Sequence, residues 1–337
     1  MKTIIPIRFI TITVLVLACM ACNKKTDVKP VDFDVTSTTL SGATSSKFAL
    51  KDTVKFAFTG NPDIITFFSG EVGKRYEFAT RANATGTPNL QFSSLRATGA
   101  QANSLQVLVS TDFKGVVANP VYGILTRDTI ATNANIATAT WTDITSRATL
   151  STGATTAVAS GVIDLSDLSQ GKPVYIAFKY TATAGTIQNK WTISGLSVNN
   201  VLADGTTYTI ANLNAPTTSF TNYGNVTFGP GWAVSYDLAK NANKYAWVYT
   251  DKTSLVITGS TTAASASAEA WAIMGPVDLT RVTPDAGVSL KVISSRLTSY
   301  QYNYAGAGTY NTVFVASNNT SDGASAIVKT IPVTITP

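Results

Sequence analysis

The sequence predicts an all-β protein, and three observations carry that expectation. Hydrophobic residues make up 45% of the chain and charged residues 13%, a balance that can bury cores and is unlike that of disordered chains. Short apolar runs recur with a period of two and are separated by Gly, Pro, Asn and Asp, as strands are by turns. No long run with the 3.6-residue period of an amphipathic helix interrupts them. A length of 337 residues leads to an expectation of about two domains.

The first element is a targeting segment. "MKTIIPIR" supplies positive charge and "FITITVLVLACMA" an apolar stretch too short to span a bilayer in a mature protein. Cys19 and Cys22, the only cysteines, lie at its end, where a lipobox would place an acylated cysteine. Val16-Leu17-Ala18 suits cleavage before Cys19, whereas the polar "NKKTDVKP" makes a natural tether after Cys22. Cys22 is the preferred lipid attachment point and Cys19 the alternative. Residues 1–22 then form the signal and 23–30 the tether. No disulfide remains for the mature chain, so core packing must stabilise it. Losing Lys2 and Arg8 lowers the formal charge of +6 by two. Without Lys/Arg runs, that balance carries no nucleic-acid footprint.

Strands follow in order. In "VKFAFTG", Val54, Phe56 and Phe58 alternate with Lys55, Ala57 and Thr59, the period of a half-buried strand. "NPD" makes a turn, "IITFF" a second strand, and "SGEVG" closes it. The same pattern predicts strands in "LQVLVST", "ATATWTDI", "ASGVIDL", "PVYIAFKYT", "KWTISGLSV", "TTYTIANL", "YAWVYT" and "SLVITGS". It continues through "AWAIMGPVDL", "VSLKVIS", "YQYNYA", "TYNTVFVASN" and "AIVKTIPVTIT". "TTAASASAEA" reads as a loop or single turn, because Ser and Thr dilute its alanines.

Both ends of the chain resemble parts of one domain. "GTYNTVFVASNNTSDGASAIVKTIPVTIT", with Gly308-Thr309-Tyr310 at its core and Ala307 where proline is usual, resembles the second half of a polycystic-kidney-disease (PKD) immunoglobulin-like domain. "FDVTSTTLSGATSSKFALKDTVKFAFTG" resembles the first half. The resemblance implies a discontinuous Ig-like sandwich from residues 31–75 and 296–337. A second domain, 76–295, would be inserted at a loop tip, where insertions are tolerated.

Within the insert, "SLQVLVSTDFKG", "ATWTDIT", "SGVIDLSDLSQGKPVYIAFKYT" and "WTISGLSV" resemble the galactose-binding-like jelly rolls of cleaved-adhesin and choice-of-anchor modules. Those modules begin with a strand like "AEAWAIMGPVDL", which here comes last, implying a permuted jelly roll. Their closing W-x-I-D is Trp191-Thr192-Ile193-Ser194 here, so the acid is missing. The lipobox, "FTGNPDIITFFSGEVG" and "TDF…WTDIT" together are similar to an uncharacterised lipoprotein family of Bacteroidetes outer membranes. That resemblance implies a surface-anchored accessory protein that binds glycan in polysaccharide utilisation. A protein-binding adhesive role is the alternative.

The residues exclude much chemistry. There is no histidine, which removes Ser-His-Asp and Cys-His nucleophilic catalysis and His-ligated zinc. No phosphate-loop, dinucleotide or nucleophile-elbow motif occurs in its required context. A carboxylate pair remains, as in glycoside hydrolysis. Asp63 and Glu71 flank "IITFF", but an extended chain holds them more than about 20 Å apart. Their expected roles are a turn and an ion pair with Lys74 or Arg75. The chain is read as non-enzymatic, without a cofactor.

Trp141 and Asp143 share one face of an alternating strand. A sugar could stack on the indole and donate hydroxyls to the carboxylate; the ordinary alternative is a core Trp and an Asp bracing a loop. Trp232, and Trp247 with Tyr245, lie in a turn-rich stretch where aromatic rings could offer stacking platforms. Tyr300, Tyr302 and Tyr304 alternate along one strand face and are expected to pack inward. Asp164 and Asp167 are candidate ligands for a structural Ca²⁺.

Overall fold

The computed structural model describes residues 27–119, 123–153, 155–169, 171–213, 232–235, 237–250, 253–293 and 296–337. Cys19 and Cys22, the two anchor candidates, lie outside the described residues. The first strands are β1 (Phe33–Thr38), β2 (Lys47–Ala49), β3 (Val54–Gly60) and β4 (Ile64–Phe68). Then come β5 (Thr87–Thr98), β6 (Leu105–Ser110), β7 (Ala118–Asn119), β8 (Gly123–Arg127) and the helix α1 (Thr129–Thr138). β9 (Thr142–Asp143), β10 (Val158–Ala159), β11 (Ile163–Asp164), β12 (Val174–Ala182) and β13 (Lys190–Val201) follow. After them run β14 (Thr207–Asn212), β15 (Trp232–Ser235), β16 (Val248–Thr250), β17 (Ser254–Ile257) and β18 (Ala268–Val277). The chain ends with β19 (Val288–Val292), β20 (Ser299–Tyr302), β21 (Gly308–Thr320) and β22 (Gly323–Thr336). The protein is all-β and built as sandwiches.

The chain forms two compact units, one from residues up to Arg81 together with Pro284–Pro337, the other Ala82–Thr283. In the first, a sheet β1-β3-β20 faces a sheet β19-β4-β21-β22-β2. Both sheets mix strands from the two ends of the chain: β20 pairs with β3, β21 with β4, and β2 lies parallel to β22. Phe56 meets Phe67 at 5.8 Å and Phe314 at 5.1 Å between the layers. Tyr304 is buried, and its ring stacks on Tyr310 at 4.6 Å, while Tyr300 and Tyr302 pack on Phe67. The tyrosine ladder is thus consumed by the core. Gly60, at φ 80°, is required by a close approach, since a Cβ there would stand 1.9 Å from the Asp32 carbonyl oxygen.

The expected junctions at 75/76 and 295/296 lie too far inside the first unit, because packing carries it further at both ends. β19 pairs with β4 rather than with the insert. Arg75 Nε donates to the buried Asp285 carboxylate at 3.0 Å, and the Arg75 and Arg81 guanidinium carbons lie 4.5 and 3.9 Å from the Phe78 ring centre. Glu71 is expected to pair with Lys74 or Arg75; its carboxylate accepts from Tyr302, Ser69 and the Ala305 N–H, and the Lys74 charge acts on it across the shared Tyr302 hydroxyl. Asp63 keeps its turn role, with Oδ2 accepting from the Asn319 N–H at 3.2 Å.

The second unit stacks a sheet β10-β5-β13-β17-β16, extended by β11 and β14, on a sheet β15-β18-β12-β6-β9. Strand alternation sends Leu90, Phe92, Trp191, Ile193 and Leu255 from one layer against Val107, Phe178, Tyr180 and Ala272 from the other. The late segment "AWAIMGPV" joins this sheet as β18, antiparallel to β12. "ATATWTDI" is a strand only at Thr142–Asp143, and α1 precedes it. The Asp128 side chain caps α1 by accepting from the Ala131 N–H at 2.9 Å, and Thr132 and Ile136 make its buried face. Among the described residues, no helix is long and apolar enough to cross a membrane.

Candidate functional site

Alternation along the second sheet of the inserted unit decides which residues face away from its core. Leu105, Val107 and Val109 of β6 enter the main core; Gln106 and Leu108 take the other face. Lys179 of β12 lies in register between Gln106 of β6 and Trp271 of β18, and Asp143 of β9 is opposite Leu108. α1 covers part of this outer face, where Ile136 packs with Leu108, Phe113, Ala177, Trp271 and Ile273. Beside the helix remains a groove of about 790 Å³ whose walls include Trp141, Asp143, Lys179, Glu269 and the 237–240 turn.

Trp141 and Asp143 therefore meet in one groove. Trp141 is half-buried, its ring 5.2 Å from Trp271 and 5.6 Å from Phe113, and its Nε1 donates to the Ile136 carbonyl at 3.0 Å. These contacts fix the indole without burying it completely. Asp143 is exposed; one oxygen accepts from the Thr145 N–H at 2.8 Å and the other from Gln106 Nε2 at 2.9 Å. Partial burial alone would raise its pKa, but the Thr145 and Gln106 hydrogen bonds and the Lys179 charge outweigh that and hold it below the usual aspartate value. Asp143 is thus a fixed anion that keeps acceptor capacity on the groove.

Across the groove, Trp271 Nε1 donates to Glu269 Oε1 at 3.1 Å, and Lys179 and Lys240 approach the Glu269 carboxylate at 3.4 and 3.6 Å. Lys179 also sits 5.1 Å from the Trp271 ring centre. Trp271 is only 6% exposed and supports Trp141 rather than forming a platform of its own. Asp143 and Glu269 lie on strands three positions apart in the sheet, about 14 Å at the usual strand spacing.

The other aromatic candidates lie elsewhere. Trp247 is 2% exposed and belongs to the main core, 6.4 Å from Phe178; it cannot be a stacking platform. Tyr245 is half-buried against the same core, and its backbone is clamped by the Asn241 amide. The backbone of Trp232 pairs opposite Met274 in β18; its side chain lies outside the described residues. The two Ca²⁺ candidates, Asp164 and Asp167, already have protein partners. Arg147 forks onto Asp167 at 2.8 and 2.7 Å, and Asp164 Oδ1 accepts from the Ser166 N–H and hydroxyl. No group of three or more potential metal-ligating side chains occurs among the described residues.

Sequence reasoning missed Lys179, Glu269, Trp271 and Lys240. Lys179, Glu269 and Trp271 meet only through the pairing of β12 with β18, which no local pattern reports. A family model described as a domain of unknown function (DUF5017) matches residues 21–220. No curated protein and no solved structure matches the chain.

Proposed function

The chain belongs to the DUF5017 family, and we propose that it is a lipid-anchored surface protein of the outer membrane that binds carbohydrate without catalysing its breakdown. The observation that carries the binding reading is the groove in which a fixed, half-exposed indole stands beside an ionised, outward-facing carboxylate. A sugar ring presents an apolar face to such an indole and hydroxyl donors to such a carboxylate. Lys179, Lys240 and Glu269 add donors and acceptors on the opposite wall. The anchor rests on the apolar leader and on Cys22, with Cys19 as the alternative.

Affinity gel electrophoresis through polysaccharides tests the binding. Retardation by at least one polysaccharide, lost in Trp141→Ala and reduced in Asp143→Asn at unchanged melting temperature, is the expected result. Free migration through every polysaccharide overturns it. Membrane fractionation tests the anchor: Cys22→Ser should release the protein, and release by Cys19→Ser alone would transfer the lipid to Cys19. One feature favours a protein-binding role instead: the β19 sheet edge exposes Val288, Val292 and Ile293 at 43%, 61% and 75%. Pull-down from membranes would detect such a partner, and mutation of these three residues should abolish it while leaving sugar retardation intact.

A further inference from the structure

The Trp141 groove does not stand alone. It shares Gln106 and Asp143 with a second hollow of about 650 Å³ that continues toward Ser146 and Leu150. That hollow in turn shares Asn103 with a third, of about 840 Å³, between the 99–103 and 181–187 segments. All three lie on the inserted unit. The first groove alone spans the strands from β18 to β9, about 14 Å, already wider than one sugar ring needs.

The two junctions carry side chains suited to hydroxyl recognition. At the first, Gln106 Nε2 donates to Asp143 Oδ2 at 2.9 Å, a pair that faces both hollows and keeps further acceptor capacity. At the second, Asn103 is exposed and sits at φ 52°, a left-handed conformation that Asn tolerates. Thr181 Oγ1 donates to its backbone carbonyl at 3.3 Å, which holds the turn, and the exposed residue lines both hollows. The third hollow offers Ile187, 43% exposed, as an apolar surface.

Resting on the carbohydrate-binding reading, we propose that the ligand is an extended polysaccharide chain laid through the three connected hollows. The Gln106–Asp143 pair and Asn103 act as hydrogen-bonding posts at the junctions. A compact mono- or disaccharide would fill only the Trp141 groove, so affinity must grow with chain length until the third hollow is reached.

The test starts from a polysaccharide that retards the intact mature protein and uses a di-, tetra- and octasaccharide cut from it, titrated by calorimetry. The dissociation constant should fall at least about tenfold, equivalent to about 1.4 kcal/mol, from disaccharide to octasaccharide. Asn103→Gly keeps the backbone conformation while removing the amide, and should erase much of that gain without changing disaccharide affinity. Ile187→Ser, at an exposed position, should do the same by an independent route. Equal affinity for all three lengths overturns the connected track while leaving sugar binding intact. A full length gain in both variants overturns the path through the third hollow. Retardation by no polysaccharide overturns the carbohydrate reading itself and the track with it.

Discussion

The Tyr302 hydroxyl donates to Glu71 Oε2 at 2.5 Å, joining the turn after β4 to the end of β20, 231 residues later in the chain. Glu71 also accepts from Ser69 Oγ and the Ala305 N–H, each at 2.9 Å, and Lys74 Nζ donates to the same Tyr302 hydroxyl at 3.0 Å. The "SGEVGK" turn is therefore a fastener between the two halves of the discontinuous sandwich. Its charges close a domain.

This fastener should weaken in acid. Burial alone would raise the Glu71 pKa, but the bonds from Tyr302, Ala305 and Ser69 and the Lys74 charge outweigh it and lower the folded-state value below 4.5. A carboxyl with a depressed folded pKa contributes stability that is fully present above its unfolded value and lost as pH falls through the folded one. Thermal melts of the wild type should therefore fall below about pH 4.5, beyond what general charge repulsion gives Glu71→Gln. At neutral pH, Glu71→Gln should cost about 1.5–3 kcal/mol, the range for hydrogen bonds to a charged group. Parallel acid limbs for the two proteins would refute the assignment.

A second fastener holds the "NPD" turn. Lys291 is 6% exposed, and its Nζ donates to the Pro62 carbonyl at 2.5 Å and lies 3.4 Å from that of Asp63. The Ile293 N–H reaches the Asp63 carbonyl at 2.7 Å, and the Asp63 N–H donates to Asn318 Oδ1 at 3.0 Å. Lys291→Met keeps most of the apolar stem but strands the Pro62 carbonyl. It should lower stability by about 1–3 kcal/mol, read as a lower denaturant midpoint at unchanged slope. An unchanged midpoint would show that water replaces the ammonium at no cost.

These two turns also show what was legible in the sequence. Strand alternation and turn chemistry are local, so "VKFAFTG" and "IITFF" could be read directly, whereas the split of the sandwich was implied by the resemblance of the two chain ends to halves of one PKD-like domain. The helix α1 could not, because only Ile130 and Ile136 are large apolar residues in "TIATNANIAT" and Ile130 is 85% exposed; the Asp128 cap was its one local signal. Trp141 and Asp143 could be named together because a spacing of two is local information, although only Asp143 of the two lies in a strand. Their partners on β18 could not, because sheet order is set by long-range packing. Trp247 was misplaced although "YAWVY" carried the clue: Tyr245, Trp247 and Tyr249 recur every second residue, and all three pack on the main core.

Arg147 already holds the Asp167 carboxylate. A guanidinium already forked onto the carboxylate at 2.8 and 2.7 Å leaves no advantage for a hard cation there. Melting temperatures in excess Ca²⁺ and in EDTA should coincide. A rise with Ca²⁺ that survives in Arg147→Ala, but not in Asp164→Asn, would place an ion at Asp164 instead.

Trp141 and Trp247 should separate cleanly by experiment, since one is placed in the groove and the other in the core. Trp247→Ala removes a fully buried indole from between the sheets and should cost about 3–5 kcal/mol, the range for large aromatic truncations. Its Nε1 has no hydrogen-bond partner, so Trp247→Phe loses no bond and should cost much less. Trp141→Ala also loses ring contacts to Trp271 and Phe113, but at a half-buried site its stability penalty should be smaller than that of Trp247→Ala. Affinity gels then provide the opposite ranking: Trp247→Phe should be retarded like the wild type, and Trp141→Ala should migrate freely. Loss of retardation in Trp247→Phe at an unchanged melting temperature would move the sugar surface away from the Trp141 groove.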